Sequence, residues 1–110
     1  MPRAIFEIDA DESLIAAVQA VVAERARQDA RHGGAPFDDR LLAGEWLALI
    51  ERQVARAEDA SVALDRVGMS RAYATAAGDE FRLSLTRLAA LAVAALQAYE
   101  RRAGPGGIAP

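Results

Sequence analysis

The side chains of this sequence that we consider for chemistry are its carboxylates, its arginines and its one histidine. The chain has no cysteine. A disulfide framework and a thiolate metal site are therefore excluded, and a cytoplasmic location is permitted. His32 has no evident serine or cysteine nucleophile nearby, so we predict no catalytic role for it. Asp38 and Asp39 lie in a segment rich in glycine and proline, and we interpret them as turn residues rather than ligands.

Carboxylates can share one metal ion when they lie three or four residues apart on a helix. No Glu-x-x-Glu or Glu-x-x-Asp pair occurs within the second or third helix predicted below. Glu51 and Glu58 share a helix face, but they are separated by two turns, about 10.5 Å along the axis. They are too far apart to bind one ion together, and we interpret them as surface charge, with Asp59, Asp79 and Glu80.

Composition predicts an all-α protein that would position these groups. The chain has 110 residues, of which 53% are hydrophobic and only 5% aromatic, and alanine is the most frequent type. Small apolar side chains favour close helix packing over a sheet. We expect one domain, residues 11–103, that forms a bundle of about three main helices completed by dimerisation, with a dimer and a tetramer both open.

Helical spacing of apolar residues gives the first two helices. Residues 1–10 are predicted to form an extended arm, and the first helix runs from about Glu12 to about Arg31, capped by Asp11 or Asp9 and ended by Gly33-Gly34. Its second half is polar, so we expect that half to leave the core. The second helix begins at Glu45 and ends between residues 60 and 64. Its apolar stripe is Trp46, Ile50, Val54 and Ala57, widened by Leu47 and Leu49.

The third helix has the clearest pattern in the sequence. It is predicted from about Asp79 to Arg102 and expected at the centre of the assembly, with the stripe Phe81, Leu85, Leu88, Ala92, Leu96 and Tyr99. Trp46 and Tyr99 are predicted core residues. Ser70 is a candidate cap for a short helical turn through Ala77. Residues 104–110 have the composition of a disordered tail.

Charge and hydropathy limit the partners. The net charge is −3, which argues against a nucleic-acid-binding protein because non-specific binding requires a basic surface. Near the N-terminus Glu7 interrupts a short apolar run, which matches neither a signal peptide nor a membrane span. We therefore expect a soluble protein with no membrane and no nucleic-acid partner.

Three segments, in order, resemble the MazG-like branch of the all-α nucleoside triphosphate pyrophosphatases, especially the small members from phages and prophages. The resemblance covers roughly residues 20 to 103. The segments are Glu24-Arg-Ala-Arg-Gln-Asp-Ala-Arg-His-Gly-Gly34 followed by Phe37-Asp-Asp39, then Glu45-Trp-Leu-Ala-Leu-Ile50, and then Phe81-Arg82 through Leu88-Ala-Ala-Leu-Ala-Val-Ala-Ala-Leu96. His32 stands where the family usually has tryptophan.

The resemblance implies a fold in which two facing helices hold Mg²⁺ through Glu and Asp, for hydrolysis of a nucleoside triphosphate to the monophosphate and pyrophosphate. The positions matched to those acids carry no carboxylate; they are Arg52, Gln53, Arg56, Ser84 and Arg87. Fixed positive charge repels a divalent cation, so we expect no metal, no cofactor and no turnover.

Two functions remain open. In the first, the chain is a catalytically degenerate MazG-like protein that binds either a protein partner or an anionic ligand, such as a phage or prophage accessory or inhibitor protein. Arg52, Arg56 and Arg87 would then bind phosphate or carboxylate directly, or else extend to solvent and pair with neighbouring acids. In the second, the chain is a divergent active Mg²⁺-dependent pyrophosphohydrolase whose carboxylates come from another register. The two differ in whether four carboxylates meet in one cleft.

Overall fold

The computed structural model describes residues 11–66, 68 and 70–104, and these residues are helical with short connections. The helices are α1 (Glu12–His32), α2 (Ala35–Asp38), α3 (Ala43–Leu64) and α4 (Arg71–Ala103). This confirms the prediction of an all-helical chain with three long helices; α2 is a single additional turn. The predicted arm at residues 1–10 and the predicted tail, apart from Gly104, lie outside the described residues.

The helix ends follow local capping chemistry. The Asp11 side chain accepts a hydrogen bond from the Leu14 backbone N–H at 2.8 Å, and Gly33 ends α1 with a φ of 96°, a left-handed conformation that favours glycine. Ser70 caps α4 by accepting from the Tyr73 N–H at 3.2 Å. The prediction of a short helical turn through Ala77, separate from a third helix that begins at about Asp79, is wrong, because α4 is continuous from Arg71 through Gly78.

Helix α4 is the centre of the fold, since α1, α2 and α3 all pack against it. Its inner face is made of small residues, which allow close approach of α3. That face consists of Ala77, Ser84, Ala90, Ala94 and Ala98. Trp46 of α3 is 6% exposed and packs with Ala94 and Ala98. Within this chain the third predicted helix is therefore central and Trp46 is buried, as predicted; the position of that helix at the centre of an assembly stays a prediction.

The predicted apolar stripe of α4 is wrong as a description of what this single chain buries. Leu85, Leu96 and Tyr99 are 43%, 59% and 52% exposed, and Ala92 is exposed as well. On α3, Leu47 is 59% exposed and Val54 39% exposed. The reason is that the alanine face of α4 lets α3 approach closely, and the larger side chains then lie outside the contact.

Helix α1 also reverses its expected burial. Its apolar half, from Leu14 to Val22, is largely exposed, whereas its polar half, from Glu24 to Arg31, contains the one buried residue of the helix, Glu24 at 7% exposed. The expectation that the polar half leaves the core is therefore wrong. Arg25 ties this half to α4 by donating to the Gln97 side-chain oxygen at 3.0 and 3.2 Å.

The chain is more extended than a compact domain of its size. The Cα radius of gyration is 17.0 Å, against roughly 13 Å for a compact domain of about 100 residues. Among the described residues one helix, α4, is long and apolar enough to cross a membrane by length and composition. The central helix of a soluble bundle passes the same test, so this is weak evidence for a membrane.

Candidate functional site

A cavity of about 350 Å³ opens between α1, α3 and α4, with the α2 turn at one side. We call it the arginine cavity, because five of the chain's 13 arginines line it. Its lining residues are Glu24, Arg27, Gln28, Arg31, His32, Phe37, Leu41, Trp46, Leu49, Arg52, Gln53, Arg56, Arg87 and Leu91.

Helical spacing explains how these residues meet. On α1, positions 24, 28 and 31 recur at intervals of four and three, so they share one face. On α3 the same holds for positions 46, 49, 53 and 56. On α4, Arg87 and Leu91 lie one turn apart. The polar half of α1 and the inner faces of α3 and α4 therefore converge on one space.

The charge in this cavity is strongly unbalanced. Five guanidinium groups and one carboxylate, that of Glu24, leave four positive charges in a chain whose net charge is −3. Within residues 11–66, 68 and 70–104 no carboxylate lies within 4.0 Å of the guanidinium nitrogens of Arg31, Arg52, Arg56 or Arg87. These four guanidinium groups therefore form no ion pair in that part of the chain, and the acids Asp59 and Glu80 share a groove with Arg56 at the cavity's rim.

The Glu24 carboxylate is held by Arg27. Arg27 donates from Nη2 to both carboxylate oxygens at 2.6 Å and from Nε to Oε1 at 3.1 Å. A bidentate, charge-assisted pair of this kind stabilises a carboxylate that is almost removed from water. Glu24 is thus occupied by one arginine and leaves the other four uncompensated.

Besides the four arginines without an ion pair, Gln53 has a side-chain oxygen without a hydrogen-bond partner in the described part of the chain. It lies on α3 between Arg52 and Arg56, and its side-chain Oε1 is buried with no hydrogen-bond partner within the described structure. The oxygen and nitrogen of an amide are assigned from their hydrogen bonds, and here no bond fixes the choice. The Gln53 amide therefore has an unused hydrogen-bonding group that is buried beside the cavity.

Two rings lie at the α1–α2 side of the cavity. His32 and Phe37 stack with centroids 5.3 Å apart and an interplanar angle of 20°. The Arg40 guanidinium lies 5.9 Å from the Phe37 centroid, within the range of a cation–π contact. His32 therefore helps to shape the cavity wall.

Four of the five site residues predicted from the sequence meet in the arginine cavity: Arg52, Gln53, Arg56 and Arg87. The fifth, Ser84, is one turn before Arg87 and is 1% exposed, but it is not part of the cavity lining. Sequence reasoning missed Glu24, Arg27, Gln28 and Arg31. The signal that could have found them is the helical spacing of polar residues at 24, 28 and 31.

The carboxylates considered for a metal site do not come together. In the part of the chain that the structure describes, no three His, Asp or Glu side chains lie close enough to hold one ion. Asp59 and Glu80 line a separate groove, with Arg56 at its edge. Glu51, Glu58 and Asp79 line neither that groove nor the arginine cavity.

Asp38 and Asp39 close the α2 turn, as predicted for turn residues, and they have opposite environments. Burial raises the pKa of Asp38, which is 6% exposed; its Oδ2 lies 3.6 Å from Arg25, too far for a hydrogen bond. Asp39 is exposed, and the hydrogen bonds from Arg101, at 2.7 and 2.9 Å, hold its pKa below the usual value. The Asp39–Arg101 pair therefore ties α2 to α4, whereas the charge of Asp38 is only weakly compensated by Arg25.

Comparisons with protein-family models, curated proteins and solved structures gave no match to this chain. The resemblance to the MazG-like pyrophosphatases therefore rests on the residues quoted above.

Proposed function

We propose that this chain is a binding protein, a catalytically degenerate relative of the MazG-like pyrophosphatases, whose arginine cavity takes an anionic ligand without a metal ion. One observation carries the proposal: four arginines line one cavity with no carboxylate within 4.0 Å in the described part of the chain. An anion bound there relieves their mutual repulsion.

Arginine suits this task. Its planar guanidinium group gives paired hydrogen bonds to a phosphate or carboxylate and stays charged at any physiological pH. Low-dielectric walls strengthen such contacts relative to water. Here Trp46, Leu49 and Leu91 form apolar walls beside Arg52 and Arg87.

The relation to the MazG-like family is supported by where the matched positions lie. Four of the five positions that would carry metal ligands in an active member line one cavity between α3 and α4, and the fifth is a turn away. Arginine at three of them opposes a divalent cation and favours an anion. A cytoplasmic phage or prophage accessory protein, acting on a protein partner or a small anion, remains our proposal for the biological setting.

The proposal includes a homo-oligomer. The accessible surface is 8035 Å², against about 5,900 Å² for a compact monomer of this mass. Exposed apolar side chains lie on the apolar half of α1, on α3 and on α4. A second copy would cover them, and this is the contact that the predicted dimerisation requires.

The test is isothermal titration with inorganic phosphate, pyrophosphate and a nucleoside triphosphate, each with excess EDTA and then with Mg²⁺. We expect anion binding in EDTA that weakens at least roughly tenfold in Arg87→Gln, since a hydrogen bond to a charged group contributes about 1.5–3 kcal/mol. Arg82→Gln is the matched control, because Arg82 lies on the same helix, is exposed and is absent from the cavity lining.

Two results would contradict the proposal. Binding of the anion only with Mg²⁺, together with release of pyrophosphate from the nucleotide, would restore the active enzyme, with Asp59 and Glu80 as the first carboxylates to substitute. No binding of any anion, or equal loss in both arginine variants, would leave the arginine cavity without a ligand role.

A further inference from the structure

We infer that the ligand of the arginine cavity is a small amphipathic anion, an organic phosphate or carboxylate with an apolar body, rather than a bare inorganic ion. The inference rests on the proposed anion-binding function and deepens it. Its basis is that the wall formed by α3 and α4 changes from apolar to cationic along the helices, whereas α1 lines the cavity with the polar side chains of Glu24, Arg27, Gln28 and Arg31.

The apolar end is continuous with the hydrophobic core. Leu41, Leu49 and Leu91 pack against the core cluster of Trp46, Ala94 and Ala98, and the three leucines and Trp46 also line the arginine cavity. These side chains are therefore core residues with one side left uncovered by protein. Water against such a surface is less favourable than an apolar group of the ligand.

The cationic end lies further along the same helices. On α3 the cavity residues change from Trp46 and Leu49 to Arg52 and Arg56, and these apolar and basic residues are separated by roughly 5–15 Å along the axis at 1.5 Å per residue. On α4 they change from Leu91 to Arg87 in the opposite chain direction. The two helices are antiparallel, so apolar residues face apolar ones, and arginine faces arginine.

The size of the cavity fits the same ligand class. Its volume of about 350 Å³ is within the roughly 300–1,000 Å³ range of small-molecule sites. A bare phosphate on Arg52 and Arg87 would leave the leucine end filled with water. A ligand with a short hydrocarbon or aromatic body would fill that end and keep its charge on the arginines.

The experiment compares three probes that differ in one part each: inorganic phosphate, hexyl phosphate and hexanol. Binding is followed by titration calorimetry and by the fluorescence of Trp46, the single tryptophan and a cavity residue. Each buried CH₂ group strengthens binding about fourfold, so we expect hexyl phosphate to bind at least roughly tenfold more tightly than phosphate. Hexanol should bind more weakly than hexyl phosphate.

Two variants of α3 test the position of the apolar end. Leu49→Ala removes part of the cavity wall and should reduce the preference for hexyl phosphate over phosphate, leaving phosphate binding intact. Leu47→Ala is its control, because Leu47 is 59% exposed and is absent from the arginine cavity. Circular dichroism of both variants checks that the helical fold is kept, and the ratio of the two affinities is independent of the fraction of folded protein.

The outcomes separate this inference from the proposed function. Equal affinity for phosphate and hexyl phosphate, lost in Arg87→Gln, would overturn the amphipathic ligand and leave anion binding standing. A preference for hexyl phosphate that persists unchanged in Leu49→Ala would also overturn it. Vesicles of an anionic phospholipid provide a last arm. Co-sedimentation that requires Arg87 would identify a lipid headgroup as the source and overturn the small-molecule ligand, whereas no co-sedimentation is expected.

Discussion

The two halves of α1 differ in a way that their side chains alone do not explain. In the apolar half, Leu14, Ile15, Val18 and Val22 are 43% to 61% exposed, whereas in the polar half Glu24 is 7% exposed and faces the arginine cavity. Apolar groups left in water indicate a missing partner, and a carboxylate removed from water indicates a local cation that stabilises it. The apolar half is thus a candidate contact between copies, and the polar half is one wall of a site.

The largest expected effect is on association. Val18→Glu with Val22→Glu places two charges in the exposed apolar half of α1, and burial of an unpaired charge is costly. We expect the wild-type chain to elute as two or four copies of 11.7 kDa and the double variant to fall to one copy, measured by size-exclusion chromatography with light scattering.

The control for association is Ala26→Glu, which adds a charge at an exposed position of the polar half. It should keep the oligomer. A monomeric wild-type chain would contradict the proposed contact between copies. Dissociation of the control as well would show that the contact is not confined to the apolar half of α1.

The next effect is at the buried carboxylate. Glu24→Gln removes the charge that binds Arg27, and we expect a loss of about 1–2 kcal/mol in the free energy of unfolding, near the lower value because Arg27 is half exposed. Because the cavity then has one negative charge fewer, phosphate should bind several-fold more tightly.

Urea unfolding and titration calorimetry measure the two effects of Glu24→Gln on the same sample. Glu51→Gln, at an exposed position outside the cavity, should change neither quantity. If Glu24→Gln weakened anion binding, Glu24 would be a positioning group for the ligand and not a competitor of it.

A smaller effect concerns Asp38. Burial, opposed by Arg25 and Arg101 and supported by Asp29 and Asp39, raises its pKa in the folded chain. The acid form is therefore favoured by folding, and the ionised form lowers stability above that pKa. We expect Asp38→Asn to be more stable than the wild type at pH 7, and this difference should disappear as the pH falls below the ordinary pKa of aspartate.

Thermal unfolding of both proteins between pH 3 and pH 7 measures this difference. A variant that is less stable than the wild type at pH 7 would show that attraction to Arg25 outweighs the cost of burial.

The smallest effect is at the exposed pair of Asp39 and Arg101. Arg101→Ala should lower Tm only slightly, and high salt should remove the difference because the pair is open to solvent. A large change that persists in 1 M salt would mean that Arg101 holds α2 in place through packing as well as charge.

The sequence was sufficient to predict the long helices. It was also sufficient to predict those helix ends that are set by a capping side chain or by a glycine. Asp11, Gly33 and Ser70 act through local hydrogen bonds or backbone conformation, so their role could be predicted from neighbours in the chain. The exposure of Leu96 and Tyr99 could not, because periodicity identifies an apolar face but not what covers it.

Only part of the site could be predicted, because the packing of the helices decides which residues meet. Arg52, Arg56 and Arg87 were found by resemblance, and their convergence depends on how α3 packs on α4. Arg27 and Arg31 were missed because a polar helix end reads as a solvent-facing surface unless the partner helices are known. The spacing of positions 24, 28 and 31 marks a shared helix face, and long-range packing decides whether that face is covered.

The few contacts that hold α1 against the other helices affect how fast its backbone amides exchange with solvent. Helix α1 packs on α4 but makes no comparable contact with α3, and it ends at Gly33-Gly34, both with positive φ. We therefore expect α1 to detach from α4 more readily than α3 does. Amide hydrogens of α1 should then exchange with solvent through a local opening, well before those of α3 and α4, and each such opening would uncover the arginine cavity.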